Sequence, residues 1–192
     1  MDTVQPIRDI SKVEAMKKVL LGDKNNGTRN HLLFVLGINS GLRISDLLNL
    51  TIGDVINKHG KTRLSVAIRE QKTGKGKSFP LNINAAKAVS LHVKTILQND
   101  LIAPLFASRK GNGPISRIQA WEILNRAAKD VGITDAIGTH SLRKTFGYHA
   151  FRSGVGIERL QAILNHSSPA ITLRYIGITQ DDINNVYLNL NL

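Results

Sequence analysis

The stretch 63–70 of this chain alternates apolar and polar residues, and it indicates where the fold contains β structure. Within residues 63–70 every second side chain is apolar, which predicts a half-buried strand whose inner face holds Leu64, Val66 and Ile68. A glycine- and lysine-rich turn at 73–77 leads to a short apolar stretch at 78–81, which predicts the return strand. We therefore expect one antiparallel hairpin over 63–82.

Across the rest of the chain, apolar residues recur at the three- and four-residue spacing of helices. Capping residues mark three helix starts: Ser11 with Glu14 three residues later, Ser116, and Ser168 followed by Pro169. The spacing predicts nine helices, over residues 11–21, 28–41, 45–50, 84–98, 116–131, 139–153 and 156–164, after Ser168, and over 179–188. The predicted fold class is mostly α with a small antiparallel β-sheet (α+β).

One of these helices, over 116–131, presents a predicted core-facing stripe of Ile118, Trp121, Leu124 and Ala128. The composition is globular, with 42% apolar and 21% charged residues, which excludes collagen-like, coiled-coil and disordered chains. No apolar run could span a membrane, and no apolar signal segment opens the chain. The absence of cysteine excludes disulfides and thiolate metal sites. We expect a single cytoplasmic domain over residues 1–192.

The charge of the chain indicates its partner more clearly than its composition does. The 26 Lys and Arg residues exceed the 14 Asp and Glu residues, for a net charge of +12. All of these cations precede Tyr175, whereas Asp181 and Asp182 follow it. The positive electrostatic field of such a chain attracts a polyanion and speeds its capture, so nucleic acid is the expected partner. Ribosomal proteins and membrane-surface binders share this balance, so charge alone leaves them open.

The segment 41–50, GLRISDLLNL, places Arg43 at the junction of two predicted helices. Apolar residues on both sides would anchor those helices in the core. A guanidinium is charged at any relevant pH and offers a planar fork to phosphate oxygens, so Arg43 is a candidate anion clamp. Asp46, one turn later, is a candidate for holding the fork in place. The local alternative is a surface arginine in a helix connection.

The hairpin turn carries the densest cluster of positive charge. Residues 58–77 contain seven basic residues and one acidic residue, Glu70. Such a cluster is typical of a solvated loop. It is also typical of a mobile finger along a nucleic-acid groove, with one lysine at the tip, Lys72, delivering a proton.

The segment 139–146, THSLRKTF, places His140 and Arg143 three residues apart, on one face of a helix. Leu142 and Phe146 lie on another face that can enter the core. A histidine and an arginine at the start of a helix form a candidate phosphate site. A structural histidine is the local alternative.

Two further candidates lie in 164–177, LNHSSPAITLRYIG. His166 occupies a predicted turn between helices, and Tyr175 follows nine residues later. A tyrosine late in a helix is usually a core or rim residue. A phenol becomes a useful nucleophile when cations and a proton acceptor favour its ionised form. With two arginines to meet the charge on a phosphodiester, the order Arg, Lys, His-x-x-Arg, His, Tyr predicts phosphoryl transfer.

These motifs resemble those of the tyrosine recombinases, the phage-integrase and Xer-like family, over about residues 28–177. The three segments resemble the first arginine box, the His-x-x-Arg box and the closing histidine-and-tyrosine box of the catalytic domain. Lys72 matches the family lysine by its place on a hairpin turn. Where glycine commonly precedes the last histidine, this chain has Asn165, which tolerates left-handed backbone.

The resemblance implies DNA cleavage and rejoining without a cofactor or metal, and it implies a role for each residue. Tyr175 attacks a DNA phosphate and forms a 3′-phosphotyrosyl link, while Arg43 and Arg143 clamp the non-bridging oxygens. The remaining roles are a hydrogen bond from His166, protonation of the 5′-oxygen by Lys72, and exchange of the tyrosine proton with His140. The expected contacts to double-stranded DNA are Lys75, Lys77, Lys144 and Arg174.

The ends of the chain are the least determined by the sequence. Family members that recombine specific sites usually carry an additional N-terminal helical domain that clamps DNA, and residues 1–27 are too few to supply it. The chain is therefore expected to be an excised fragment or a compact variant. In the tail, 178–192, a face of Ile183, Val186 and Leu190 either packs on the chain's own core or docks on a second copy.

Three other functions stay open at this point. Residues 156–175 also fit a helix-turn-helix DNA-binding module without catalysis. A metal-dependent hydrolase is disfavoured because His140, His149 and His166 lack carboxylate partners at ligand spacing. A type IB topoisomerase-like nicking and resealing enzyme would use the same chemistry without strand exchange.

Overall fold

The structure, a computed structural model, describes residues 4–96, 100–178 and 180–189. This part of the chain forms ten helices and one antiparallel two-stranded sheet, which confirms the predicted α+β class. The elements are α1 (Ile10–Leu21), α2 (Gly27–Ser40), α3 (Ile44–Leu48), α4 (Ile52–Val55), β1 (Ser65–Arg69), β2 (Gly76–Pro80), α5 (Ile83–Val93), α6 (Arg117–Asp130), α7 (Thr139–Arg152), α8 (Ile157–Leu164), α9 (Pro169–Ile176) and α10 (Gln180–Asn189).

Helix α2 is the centre of the core. It packs against α1, α5 and α7, and its five consecutive residues from Leu32 to Leu36 are buried. The helix ends at Gly41, whose backbone is left-handed with φ of 60°. A Cβ at this position would lie 2.6 Å from the Phe146 ring of α7, so both the turn and the packing require glycine. This tight ending places Arg43 immediately beside the core.

The predicted hairpin is confirmed, with register from Ser65 opposite Pro80 to Arg69 opposite Gly76. Its inner face is narrower than predicted, because Val66 and Phe79 are buried whereas Leu64 is 90% exposed. Leu64 precedes the paired strand, and its carbonyl accepts a hydrogen bond from the Leu81 amide. A two-stranded sheet thus covers little of the core, and its tip extends into solvent.

Three helix predictions need correction. Helix α5 ends at Val93, five residues before the predicted end at residue 98. Helix α1 begins one residue earlier than Ser11, and its N-cap is Asp9, whose carboxylate accepts a hydrogen bond from the Ser11 amide. Helix α6 keeps its Ser116 capping box, but Ile118 and Trp121 are exposed. Its buried face is instead formed by Ala120, Leu124, Ala127 and Ala128. Alanines on this face let α6 lie close to its neighbours, so the larger side chains turn outward.

The sequence did not predict α4 or the buried part of the long connection from α5 to α6. Leu105 and Phe106 lie in that connection and are fully buried. His92, on α5, anchors it: its Nε2 donates to the Leu105 carbonyl over 3.0 Å, and its Nδ1 lies 3.0 Å from the Thr28 hydroxyl. The connection therefore belongs to the core although it has no helix.

The tail forms the predicted last helix as α10. Its Tyr187 and Leu188 side chains are about 80% exposed. The predicted apolar face of Ile183, Val186 and Leu190 lies outside the described side chains. Among the residues that the structure describes, no helix is long and apolar enough to cross a membrane.

Candidate active site

Arg43 lies between α2 and α3, at the N-terminal end of the short α3 helix. Its Nη1 forms an ion pair with Oε1 of Glu70 over 2.8 Å. The expected partner, Asp46, has another role: its Oδ1 accepts a hydrogen bond from the Gln71 amide over 2.9 Å. Both carboxylates therefore join the turn end of the hairpin to the segment of Arg43, but the ion partner of Arg43 is Glu70.

Glu70 is a site residue that the sequence reasoning missed. Its side chain is 3% exposed, and its Oε2 accepts hydrogen bonds from Thr73 Oγ1 at 2.7 Å and Asn165 Nδ2 at 3.4 Å. Burial raises the pKa of Glu70, but the Thr73 hydroxyl and the Arg43 guanidinium outweigh burial and hold this pKa below its ordinary value. The signal was present in the sequence, since Glu70 is the one acid among the basic residues of 58–77.

Arg143 lies on the second turn of α7 and is buried. Its Nη1 donates to the Gly41 carbonyl over 2.7 Å, and its Nη2 donates to the Leu164 carbonyl. The Gly41 carbonyl lies at the end of α2, and the Leu164 carbonyl lies at the end of α8. The guanidinium therefore fixes two helix ends relative to one another, and both of them carry site residues.

His166 is held by the turn between α8 and α9. The turn depends on Asn165, which has the left-handed φ of 49° that the sequence analysis expected it to tolerate. His166 Nδ1 lies 3.2 Å from Thr172 Oγ1, and the Thr172 hydroxyl donates its own proton to the Ser168 carbonyl. Nδ1 is therefore the donor, and neutral His166 carries its lone pair on Nε2. Burial and the charge of Arg143 lower the pKa of His166.

Tyr175 lies in the last turn of α9, inside the same pocket. Its ring packs edge-on against His166, with the ring centroids 4.8 Å apart. Burial raises the pKa of the Tyr175 phenol above its ordinary value, although the charges of Arg143 and Arg43 oppose this rise. Lys144 is buried, with Nζ 5.3 Å from the centre of the Tyr175 ring. The predicted nucleophile and both predicted guanidiniums thus lie together.

His140 is exposed on the first turn of α7. Partial burial lowers the pKa of His140, and the nearby charges of Arg117 and Lys144 lower it further. The imidazole is therefore neutral near pH 7 and free to accept a proton.

The lysines of the hairpin are not equivalent. Lys72 and Lys75 are exposed near its tip. Lys77, on β2, is half-buried, and its Nζ donates to the Ile163 carbonyl over 3.1 Å. Burial and the charge of Arg143 lower the pKa of Lys77 to about 8. The structure therefore brings Lys77 to the arginines and leaves Lys72 outside the pocket, while Arg174 is exposed on α9.

Comparison with known proteins shows which family the chain resembles. The family model "Phage integrase family" matches residues 10–181. The chain is 43% identical to the "Probable integrase/recombinase YoeC" of Bacillus subtilis (strain 168), with 97% of each chain covered. The match to "Tyrosine recombinase XerC" of Pelobacter propionicus has 27% identity and covers 93% of this chain and 57% of that protein.

Solved structures show the same fold at lower identity. The crystal structure of XerA recombinase matches with a TM-score of 0.74 and 21% identity, over 100% of this chain and 67% of that chain. The catalytic domain of bacteriophage HP1 integrase matches with a TM-score of 0.60 and 18% identity, over 96% of this chain and 95% of that chain. The family match over most of the chain and the 43% identity establish that this chain belongs to the phage integrase family, the tyrosine recombinases.

Proposed function

We propose that this chain breaks and rejoins double-stranded DNA through a covalent 3′-phosphotyrosyl intermediate. The observation that carries the proposal is the position of Tyr175, which lies against His166 and beside Arg143 in one pocket. Packing alone does not require cations around the partly buried Tyr175 phenol, since a phenylalanine would fill the same space. Their meeting is explained if an anion, the scissile phosphate, occupies the pocket during the reaction.

The reaction exchanges one phosphoester bond for another. The Tyr175 Oη attacks phosphorus, the bond from phosphorus to the 5′-oxygen breaks, and the 3′-phosphate remains on the enzyme. The phenol gives up its proton to His140, which is neutral because its pKa is lowered. The leaving 5′-oxygen takes a proton from Lys72, so that a free 5′-hydroxyl is produced.

The charge that develops on the phosphate is met by fixed donors. Arg143 and Arg43 are held before substrate arrives, Arg143 by two backbone carbonyls and Arg43 by Glu70. Donors that are already oriented need no reorganisation as the charge develops. His166 contributes a hydrogen bond from Nε2 in its protonated form, which the phosphate charge favours.

The hairpin supplies the remaining contacts. Lys72 at the exposed tip reaches the leaving oxygen when the hairpin lies along DNA, and Lys75 contacts a phosphate of the backbone. Lys77, Lys144 and Arg174 add positive charge around the scissile bond. Because the phosphotyrosine conserves the energy of the bond, attack by a 5′-hydroxyl reverses cleavage, and rejoining needs no nucleotide cofactor.

A nicked duplex that traps the cleaved state tests the proposal. Cleavage beside the nick releases a short 5′-hydroxyl fragment, which diffuses away, and the protein should remain on the DNA as a band that resists denaturation. The Tyr175→Phe variant should give no band, and Tyr187→Phe, which alters an 80% exposed tyrosine, should behave as wild type. An adduct that persists in Tyr175→Phe would overturn the assignment, and DNA binding without any adduct would favour the helix-turn-helix alternative.

We also propose that the tail assembles copies of the chain on DNA. The tail carries acidic residues and exposed Tyr187 and Leu188, whereas the rest of the chain is strongly basic. A chain ending at residue 178 should cleave the nicked duplex but remain monomeric on a two-site DNA in sedimentation. Equal assembly by the full and shortened chains would rule out this role.

A further inference from the structure

Residues 4–9, which we name the N-terminal strap, cross the back of the active site. The strap runs along α7 with regular hydrogen bonds: the Ile7 amide donates to Thr145 Oγ1 over 2.9 Å, and His149 Nε2 donates to the Ile7 carbonyl over 2.8 Å. The Gln5 amide donates to the Ala136 carbonyl over 2.9 Å. The strap is therefore part of the folded domain, although it has no helix or strand of its own.

The strap contacts the capping residues of two helices that carry the site. At the N-cap of α7 lies Gly138, where an added Cβ would be 2.9 Å from Val4 Cγ1. At the C-cap of α9 lies Gly177, where an added Cβ would be 3.2 Å from Pro6 Cδ and 3.0 Å from Arg8 Nη2. At both ends, side chains of the strap lie so close to the glycine backbone that a Cβ would crowd them. The strap thus spans from the helix of Arg143 to the helix of Tyr175.

Arg8 makes the polar contact with the nucleophile helix. Its Nη2 donates to the Gly177 carbonyl over 3.2 Å and to Gln5 Oε1 over 3.2 Å, and its guanidinium lies 5.7 Å from the centre of the Tyr148 ring. The Gly177 carbonyl lies two residues beyond Tyr175. Arg8 therefore ties the end of α9 to the outer face of α7.

We propose that Arg8 is a positioning residue that holds α9, and with it Tyr175, in the attacking position of its own pocket. This inference rests on the proposed function. The helix has only eight residues and ends at a left-handed glycine, so its last turn depends on neighbouring contacts for its position. Arg8 is exposed and touches neither DNA phosphate nor the reacting atoms in the proposed reaction, so its effect passes through Tyr175.

The test compares Arg8→Ala with a control, Lys12→Ala. Lys12 lies on α1, and its Nζ donates to the Val131 carbonyl over 2.5 Å. Both variants lose one positive charge and a hydrogen bond to a backbone carbonyl. The single-turnover rate of adduct formation is measured at saturating nicked duplex, together with the dissociation constant for DNA and the thermal midpoint.

Arg8→Ala should slow adduct formation about fivefold, the effect of one hydrogen bond, with the dissociation constant and thermal midpoint close to wild type. Arg8→Lys, which keeps the charge and a donor, should recover part of the rate. Lys12→Ala should cleave within twofold of wild type. Wild-type rates in Arg8→Ala, or equal slowing in both alanine variants, would overturn the inference.

Hydrogen exchange separates this inference from the proposed function. The amides of Gly177 and Ile178 close the end of α9 by bonding to the Arg174 and Leu173 carbonyls. Arg8→Ala should speed exchange of these two amides, and Lys12→Ala should leave it unchanged. If wild-type protein forms no adduct, the proposed function fails. Unchanged exchange in Arg8→Ala would overturn the strap's role whatever the adduct assay shows.

Discussion

The two sides of the pocket differ in how they are held. The turn side, formed by Arg43, Arg143 and the 165–166 turn, is fixed by bonds to backbone carbonyls and by a buried ion pair. The hairpin side, formed by the strands and tip of 65–80, rests on a narrow face and carries exposed Lys72 and Lys75. Under the proposed function, the groups that meet the phosphate are thus preorganised, whereas the lysine that serves the leaving strand lies on an exposed turn.

Glu70 and Lys77 are the two side chains through which the hairpin side contacts the turn side at the pocket. Glu70 bonds to Arg43 and approaches Asn165, while Lys77 donates to the Ile163 carbonyl on α8. Beside the tip, the Gln71 amide donates to Asp46, whereas the Lys72 and Lys75 side chains are exposed. This comparison predicts that substitutions on the turn side affect both catalysis and stability, and that substitutions at the tip affect catalysis or binding alone.

The largest effect is expected for Arg143→Ala. It removes a preorganised donor from the phosphate and leaves the carbonyls of Gly41 and Leu164 without their donor, so adduct formation should fall about 10³-fold and the protein should be destabilised. DNA affinity should change little, because many other cations bind the backbone. Adduct assays, DNA titration and urea unfolding measure the three quantities. A parallel collapse of affinity would make Arg143 a docking residue instead.

Lys72→Ala should slow cleavage about 10²-fold without destabilising the protein, as expected for loss of a general acid on an exposed loop. A substrate with sulfur in place of the 5′-oxygen should restore the rate, because a thiolate leaves without a proton. Lys77→Ala is the matched comparison: it should slow cleavage of both substrates equally. If the 5′-sulfur substrate restores the rate of Lys77→Ala and not that of Lys72→Ala, the general acid is Lys77.

These two lysines show where sequence reasoning was sufficient and where it was not. Arg43, Arg143, His166 and Tyr175 were predictable because motifs fix them to helix ends, and the core then brings those ends together. The choice between Lys72 and Lys77 depends on the twist and tilt of the hairpin, which no local pattern encodes. Glu70 was missed because its partner, Arg43, is distant in sequence. Trp121 was misplaced because the buried face of α6 is set by its neighbours.

Glu70→Gln should lower the free energy of unfolding by about 2 kcal/mol at pH 7, because it leaves Arg43 without its ion partner. The pKa of Glu70 in the folded protein is below its ordinary value. Its carboxylate therefore contributes stability above the unfolded-state pKa, and this contribution is lost as pH falls through the folded-state pKa. Urea unfolding at pH 7 and pH 4 should show a smaller difference at pH 4. A constant difference would indicate a packing effect.

The smallest effect is expected at the tip. Lys75→Ala should leave stability unchanged and reduce the slope of log binding constant against log salt by about 0.9, the loss of one phosphate contact. Anisotropy titrations at several salt concentrations measure this slope, with Lys18→Ala on α1 as a control of equal charge. An unchanged slope would place the tip away from the DNA.

The bond between Arg143 and the Gly41 carbonyl joins residues 102 positions apart. Closing so long a loop depends on most of the domain having folded, so cleavage competence should appear at the end of folding and be absent from nascent or partly degraded chains. An enzyme that cuts DNA gains a safeguard from this arrangement, because its broken or unfinished copies should be unable to nick DNA.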